Sequence, residues 1–115
     1  MFKHINNSIS RVVAIALATV VVNFSMAVNA EENSGKQVFE QECASCHTGG
    51  FKGWVSGAPE IGSKEDWLNF INKGPKKMTK VTIEGGEGMD PMGGCKTCSE
   101  AQIKAAVDYI ILKTK

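Results

Sequence analysis

Five residues, Cys43-Ala44-Ser45-Cys46-His47, constrain this chain more than any other stretch of it. Two thiols separated by two residues on one helical turn reach both vinyl groups of a haem and form thioethers, and the next side chain then faces the iron. His47 is thereby placed to offer an imidazole nitrogen as the proximal ligand. The same C-x-x-C pair also suits a redox dithiol of the thioredoxin kind or half of a zinc site. The surrounding sequence has to sort among these chemistries.

Residues 1–30 read as a targeting segment. Lys3 and Arg11 make a positive start with no acid, Val12 to Val22 is an apolar run, and Val28-Asn29-Ala30 has the small-residue form of a cleavage site. The run is shorter than the roughly 20 residues that span a bilayer, so a cleaved signal peptide is expected, an uncleaved anchor being the alternative. Export to the periplasm follows. The mature part, residues 31–115, is then one domain of 85 residues, with 11 Lys plus Arg against 12 Asp plus Glu and a formal charge of −1. Nothing in that balance suggests nucleic-acid binding. A chain this short builds a limited core and is helped by a cofactor or a crosslink.

Ser34-Gly35-Lys36-Gln37 has the form of a capping box and predicts a helix from about Gly35 into the cysteine motif. Gly35, Val38, Phe39 and Cys43 recur on one face of it. A glycine in that first turn weakens the helix by roughly 1 kcal/mol against alanine and asks for a packing reason, such as a second helix crossing closely. Thr48 to Gly62 holds five glycines and one proline without clean periodicity and reads as loop. Pro59 lies within it where its carbonyl could receive the ring N–H of His47.

A second helix should begin at Ser63, bury Trp67, Phe70 and Ile71, and end at Gly74-Pro75. A third, shorter one is expected over Lys76 to Glu84 with Met78 and Val81 inward. Lysines 73, 76, 77 and 80 read as a solvated face. Gly85 to Gly94 is a glycine-rich loop carrying Met89 and Met92. After it, Ser99-Glu100-Ala101-Gln102 is another capping box, and Ile103, Ala106, Val107, Ile110 and Ile111 step at helical spacing. No strand pattern and no repeat is present, so the fold class is all-α, with three to four helices around one haem.

His47 is the only histidine of residues 31–115. A bis-histidine iron site within this part of the chain is therefore excluded, and a methionine becomes the best sixth ligand. Met78, Met89 and Met92 are the candidates, Met78 reading as core filler on its helix face. Cys95-Lys96-Thr97-Cys98 has Ser99 where a histidine would be needed for a second haem. The 48 residues between Cys46 and Cys95 exceed the usual spacing of paired zinc knuckles, about 15–20. A local disulfide is preferred.

These residues resemble the class I c-type cytochromes, and most of all cytochrome c5, a bacterial subgroup with a second C-x-x-C between its methionine loop and last helix. The resemblance implies one covalent haem c, attached through Cys43 and Cys46. It also implies His/Met axial ligation, a Cys95–Cys98 disulfide, and single-electron transfer in the periplasm. Family members read M-P-P-K-G-G-C where this chain reads Met89-Asp90-Pro91-Met92-Gly93-Gly94-Cys95. That offset selects Met89 as axial ligand, with Met92 as backup, and Asp90 replaces one stiffening proline. The family further implies that Pro59 supplies the carbonyl for His47 and that Gly35 and Phe39 meet the last helix near Tyr109. The implied partners are redox proteins such as a quinol-oxidising complex, a terminal oxidase or a reductase, some membrane-associated.

Two other classes remain to be weighed. One is a haem enzyme or sensor with an open sixth position, acting on peroxide or oxygen. The other is a thiol oxidoreductase using Cys43 and Cys46.

Overall fold

A computed structural model of the chain describes residues 31–115; the expected signal peptide and its cleavage site lie outside them. The first described element, α1, occupies residues 31–47. It is α-helical over 31–38, opens into a π-helical turn at Phe39–Cys43, and closes with a regular turn at Ala44–His47. The π turn inserts one residue into the helix, so the cysteine motif leaves it rotated by about 100° from a regular continuation. Such turns are common at functional sites. The helix is already running at Glu31, which corrects the expected start at Gly35: Ser34 and Gln37 make no capping bond. Glu32, in the preceding turn, pairs with Lys113 of the last helix at 3.4 Å, a tertiary contact outside the reach of a local cap signature.

The glycine-rich stretch after His47 contains a further helix, α2, at Gly50–Ser56, where loop was expected. Gly49 (φ 80°) launches it and Gly57 (φ 67°) ends it in the left-handed conformation that glycine adopts without cost. Gly53 between them is buried, and a Cβ there would lie 2.8 Å from the carbonyl oxygen of Cys46. Its absent side chain lets α2 press on the end of α1. The glycines that suggested a loop are thus the condition for a close helix contact.

Helix α3, Lys64–Asn72, is capped as expected, Ser63 Oγ accepting from the Asp66 N–H. Gly74 (φ 87°) turns the chain, and Pro75 opens α4, Pro75–Glu84. A 3-10 turn at Pro91–Gly94 follows, and then α5, Glu100–Thr114, whose Ser99–Gln102 capping box is fully formed. Among the described residues the only sheet-like pairing is one isolated bridge, Gly86 to Met89.

Phe39, Trp67, Met78, Val107, Ile110 and Ile111 make the central cluster, with Cys43, Ala44, Ile61, Phe70, Ile71 and Tyr109 packed against it. The α1–α5 crossing is its tightest joint. Gly35 is buried there, and the Phe39 and Tyr109 rings meet at 5.6 Å. Helix α5 buries the stripe from Ile103 to Ile111 and ends on Thr114, 2 % exposed, whose Oγ1 accepts the N–H of Gly62 at 3.2 Å. Burying apolar side chains of this size contributes about 1.5–3 kcal/mol each against leaving them in water.

Candidate functional site

Cys43 and Cys46 are both free thiols, half-buried at the end of α1 and not joined to each other. Burial, with lesser contributions from Glu42 and Cys46, pushes the Cys43 thiol from 9.0 up to about 11. Cys95 and Cys98 are joined by a disulfide with an S–S distance of 2.00 Å. The described residues hold no group of three or more His, Cys, Asp or Glu arranged for a metal ion.

His47 sits half-buried at the last turn of α1. Its Nδ1 lies 2.9 Å from the carbonyl oxygen of Pro59. A carbonyl only accepts, so the proton is on Nδ1 and the lone pair on Nε2, the nitrogen left for a metal. The segment carrying that carbonyl is tied down: the Ile61 N–H donates to His47 O at 2.7 Å and Trp67 Nε1–H donates to Glu60 O at 2.8 Å.

Of the three candidate methionines, Met78 is 7 % exposed and belongs to the core cluster, as its helix face suggested. Met89 and Met92 are both half-buried in the loop after α4. Gly86 and Met89 exchange two backbone hydrogen bonds at 3.0 Å around Glu87 (φ 54°) and Gly88 (φ 88°), a tight turn with both central residues left-handed. Pro91 is pressed against Gly85 just beyond this turn. A Cβ on Gly85 would lie 2.7 Å from the nitrogen of Pro91, so the close approach glycine allows here is to the loop itself. The Pro91–Gly94 turn rests on the π turn of α1, which brings the methionine loop and the cysteine motif together.

The donor set fits a covalent haem: two unpaired thiols on one helical turn, an adjacent imidazole of defined tautomer, and a thioether loop folded against the same helix. Two features of this neighbourhood escaped the sequence reading, the π turn and α2. Neither leaves a hydrophobic period, though the glycines flanking residues 50–56 mark the ends of α2 in retrospect.

Comparison with known proteins agrees. Residues 30–110 match the protein family described as cytochrome C oxidase, cbb3-type, subunit III. Cytochrome c-555 of Chlorobaculum thiosulfatiphilum is 34 % identical over 86 residues, covering 71 % of this chain and 95 % of that protein. Cytochrome c5 of Azotobacter vinelandii is 29 % identical over 76 residues, covering 64 % and 87 %. Cytochrome c5 is thus one of several similar groups rather than the one singled out by the sequence. A solved electron transfer complex of nitrite reductase with cytochrome c matches with a TM-score of 0.64 and 29 % identity, over 71 % of this chain and 95 % of that one. The chain belongs to the class I c-type cytochromes, small all-α electron carriers, and it carries one covalently bound haem c.

Proposed function

We propose that this protein shuttles single electrons between periplasmic or membrane-associated redox proteins, with its iron held between His47 and Met89. When bound, haem c supplies one reversible electron at its metal. Cys43 and Cys46 hold it covalently. His47 is kept in the Nδ1–H tautomer by the Pro59 carbonyl at 2.9 Å, the observation that carries this reading. Donating that proton in a hydrogen bond makes Nε2 a stronger base toward iron. Met89 supplies a soft sixth ligand that raises the reduction potential, and its backbone is fixed by the two bonds to Gly86. Were His47 and Met89 both to hold the iron, no position on it would be left for a substrate.

A carrier must release its partners quickly, which suits a small contact, typically under about 1,200 Å² in total. A redox enzyme as partner is supported by the nitrite reductase complex of the structural neighbour. Quinol-oxidising complexes and terminal oxidases meet the same requirement. No helix among the described residues is long and apolar enough to cross a membrane. Cleavage after Ala30 would place the mature chain in the periplasm, and the mass of the isolated protein should equal residues 31–115 plus one haem.

The ligand assignment is tested by ferric absorption spectra. The wild type should show the methionine–iron charge-transfer band at the red end, Met89→Leu should lose it and Met92→Leu should keep it. A wild-type spectrum without the band means an open sixth position, and the peroxide or oxygen chemistry that goes with one.

A further inference from the structure

We infer that Trp67 is a positioning residue for His47: it holds the Pro59–Glu60 backbone in the orientation that captures the Nδ1 proton, and so sets how strongly the imidazole donates to the metal. This rests on His47 being an axial ligand, as proposed above. Trp67 lies on α3 and is 6 % exposed, while Leu68 beside it is 57 % exposed. It contacts the His47 ring and the residue that follows the Pro59 acceptor. Its Nε1–H donates to the carbonyl of Glu60 at 2.8 Å, one residue beyond the Pro59 carbonyl that His47 uses. Its ring lies 5.5 Å from the imidazole at an interplanar angle of 34°. One rigid side chain thus holds the acceptor's backbone and limits rotation of the donor ring.

Most other ties of this segment act on its N–H groups. The Glu60 N–H goes to Asp66 Oδ2 at 3.3 Å, that of Ile61 to His47 O at 2.7 Å, and that of Gly62 to Thr114 Oγ1 at 3.2 Å. The Glu60 carbonyl accepts two bonds, from the indole at 2.8 Å and from the Ser63 N–H at 3.1 Å, and the indole's is the shorter and the one that comes from the core. Without the indole that oxygen keeps only the longer bond from the Ser63 N–H, and the peptide planes on either side of Glu60 are freer to turn. The Pro59 carbonyl, in the plane just before, then drifts from Nδ1. A weaker bond at Nδ1 makes Nε2 a poorer donor, which favours ferrous over ferric iron.

The test uses the haem-loaded protein. In Trp67→Phe, which keeps an aromatic ring and loses the N–H, the midpoint potential should rise. Proton exchange at His47 Nδ1, read by NMR in the paramagnetically shifted region, should quicken by about tenfold or more, as for a local opening. Ile103→Val, a core truncation outside the Trp67 cluster, is the control: it should lower stability and move neither reading. If Trp67→Phe behaves like that control, Trp67 is core and nothing more, and the inference falls. A measurement on the wild type alone guards against a variant that fails to load haem. The Trp67 indole N–H and the His47 Nδ1–H should exchange through the same opening, at similar rates; an indole exchanging much faster overturns the inference. A wild-type spectrum with no shifted His47 ring proton would instead remove the ligand assignment, and with it the role given to Trp67.

Discussion

Replacing Gly35 by alanine isolates the joint on which the fold depends. On helix propensity alone the change should help, by about 1 kcal/mol. The structure says otherwise. The added Cβ would lie 2.2 Å from the carbonyl oxygen of Ala105, 2.7 Å from its carbon and 3.2 Å from Tyr109 Cβ. Two of these are backbone atoms, which cannot swing aside. Close carbon–oxygen contacts sit at roughly 3.3 Å or more, so α1 and α5 have to part by about 1 Å. A gap of that size forfeits about a quarter to a half of the dispersion attraction between the faces it separates, here including the Phe39 and Tyr109 rings at 5.6 Å. Overpacking costs about 1–3 kcal/mol, and a backbone clash belongs at the upper end. Subtracting the propensity gain leaves a net loss of about 2 kcal/mol. In a domain this small each kcal/mol moves the melting temperature by about 4–8 °C, so the haem-loaded variant should melt about 10 °C or more below the wild type. Thermal unfolding followed by far-UV circular dichroism measures this, with urea unfolding as a cross-check. A Gly35→Ala protein that melts at or above the wild-type temperature would refute the close crossing, because propensity would then outweigh the clash.

Removing either thiol of the attachment motif, by Cys43→Ala or Cys46→Ala, should leave a mostly unfolded chain, since a small core is short of apolar surface without the cofactor; native helix in the unloaded protein would count against this. Changing Cys95 and Cys98 together to alanine opens a crosslink with a sequence separation of three. Loop-entropy arithmetic for so short a ring gives a loss of about 2 kcal/mol, seen as a lower urea midpoint with an unaltered visible spectrum. Ser99→Ala removes the N-cap bond of α5 and should cost about 1 kcal/mol in the same assay.

The cysteine motif, the caps at Ser63 and Ser99, and the apolar stripe of α5 were all legible in the chain, because each is a pattern completed within a few residues. The Ser34 box has the same form and fails, because the helix is already formed at Glu31 and runs through it. Helix α2 was hidden because glycine lowers helix propensity, whereas Gly53 needs its bareness to lie against Cys46. Spacing left Met78, Met89 and Met92 as rivals, and only the resemblance to known cytochromes put Met89 first; the structure places Met78 in the core and the other two half-buried in one loop.

The order of residues along the chain determined by itself that two thiols and an imidazole share one helical turn, since three to four residues of helix bring side chains to one face wherever that helix is placed. Only the tertiary structure decided how closely α1 and α5 cross, and that Trp67 lies against the His47 ring while bonding the carbonyl of Glu60. Those contacts join residues that local periodicity does not pair, and they exist because burying one small core leaves the backbone no other way to satisfy its polar groups.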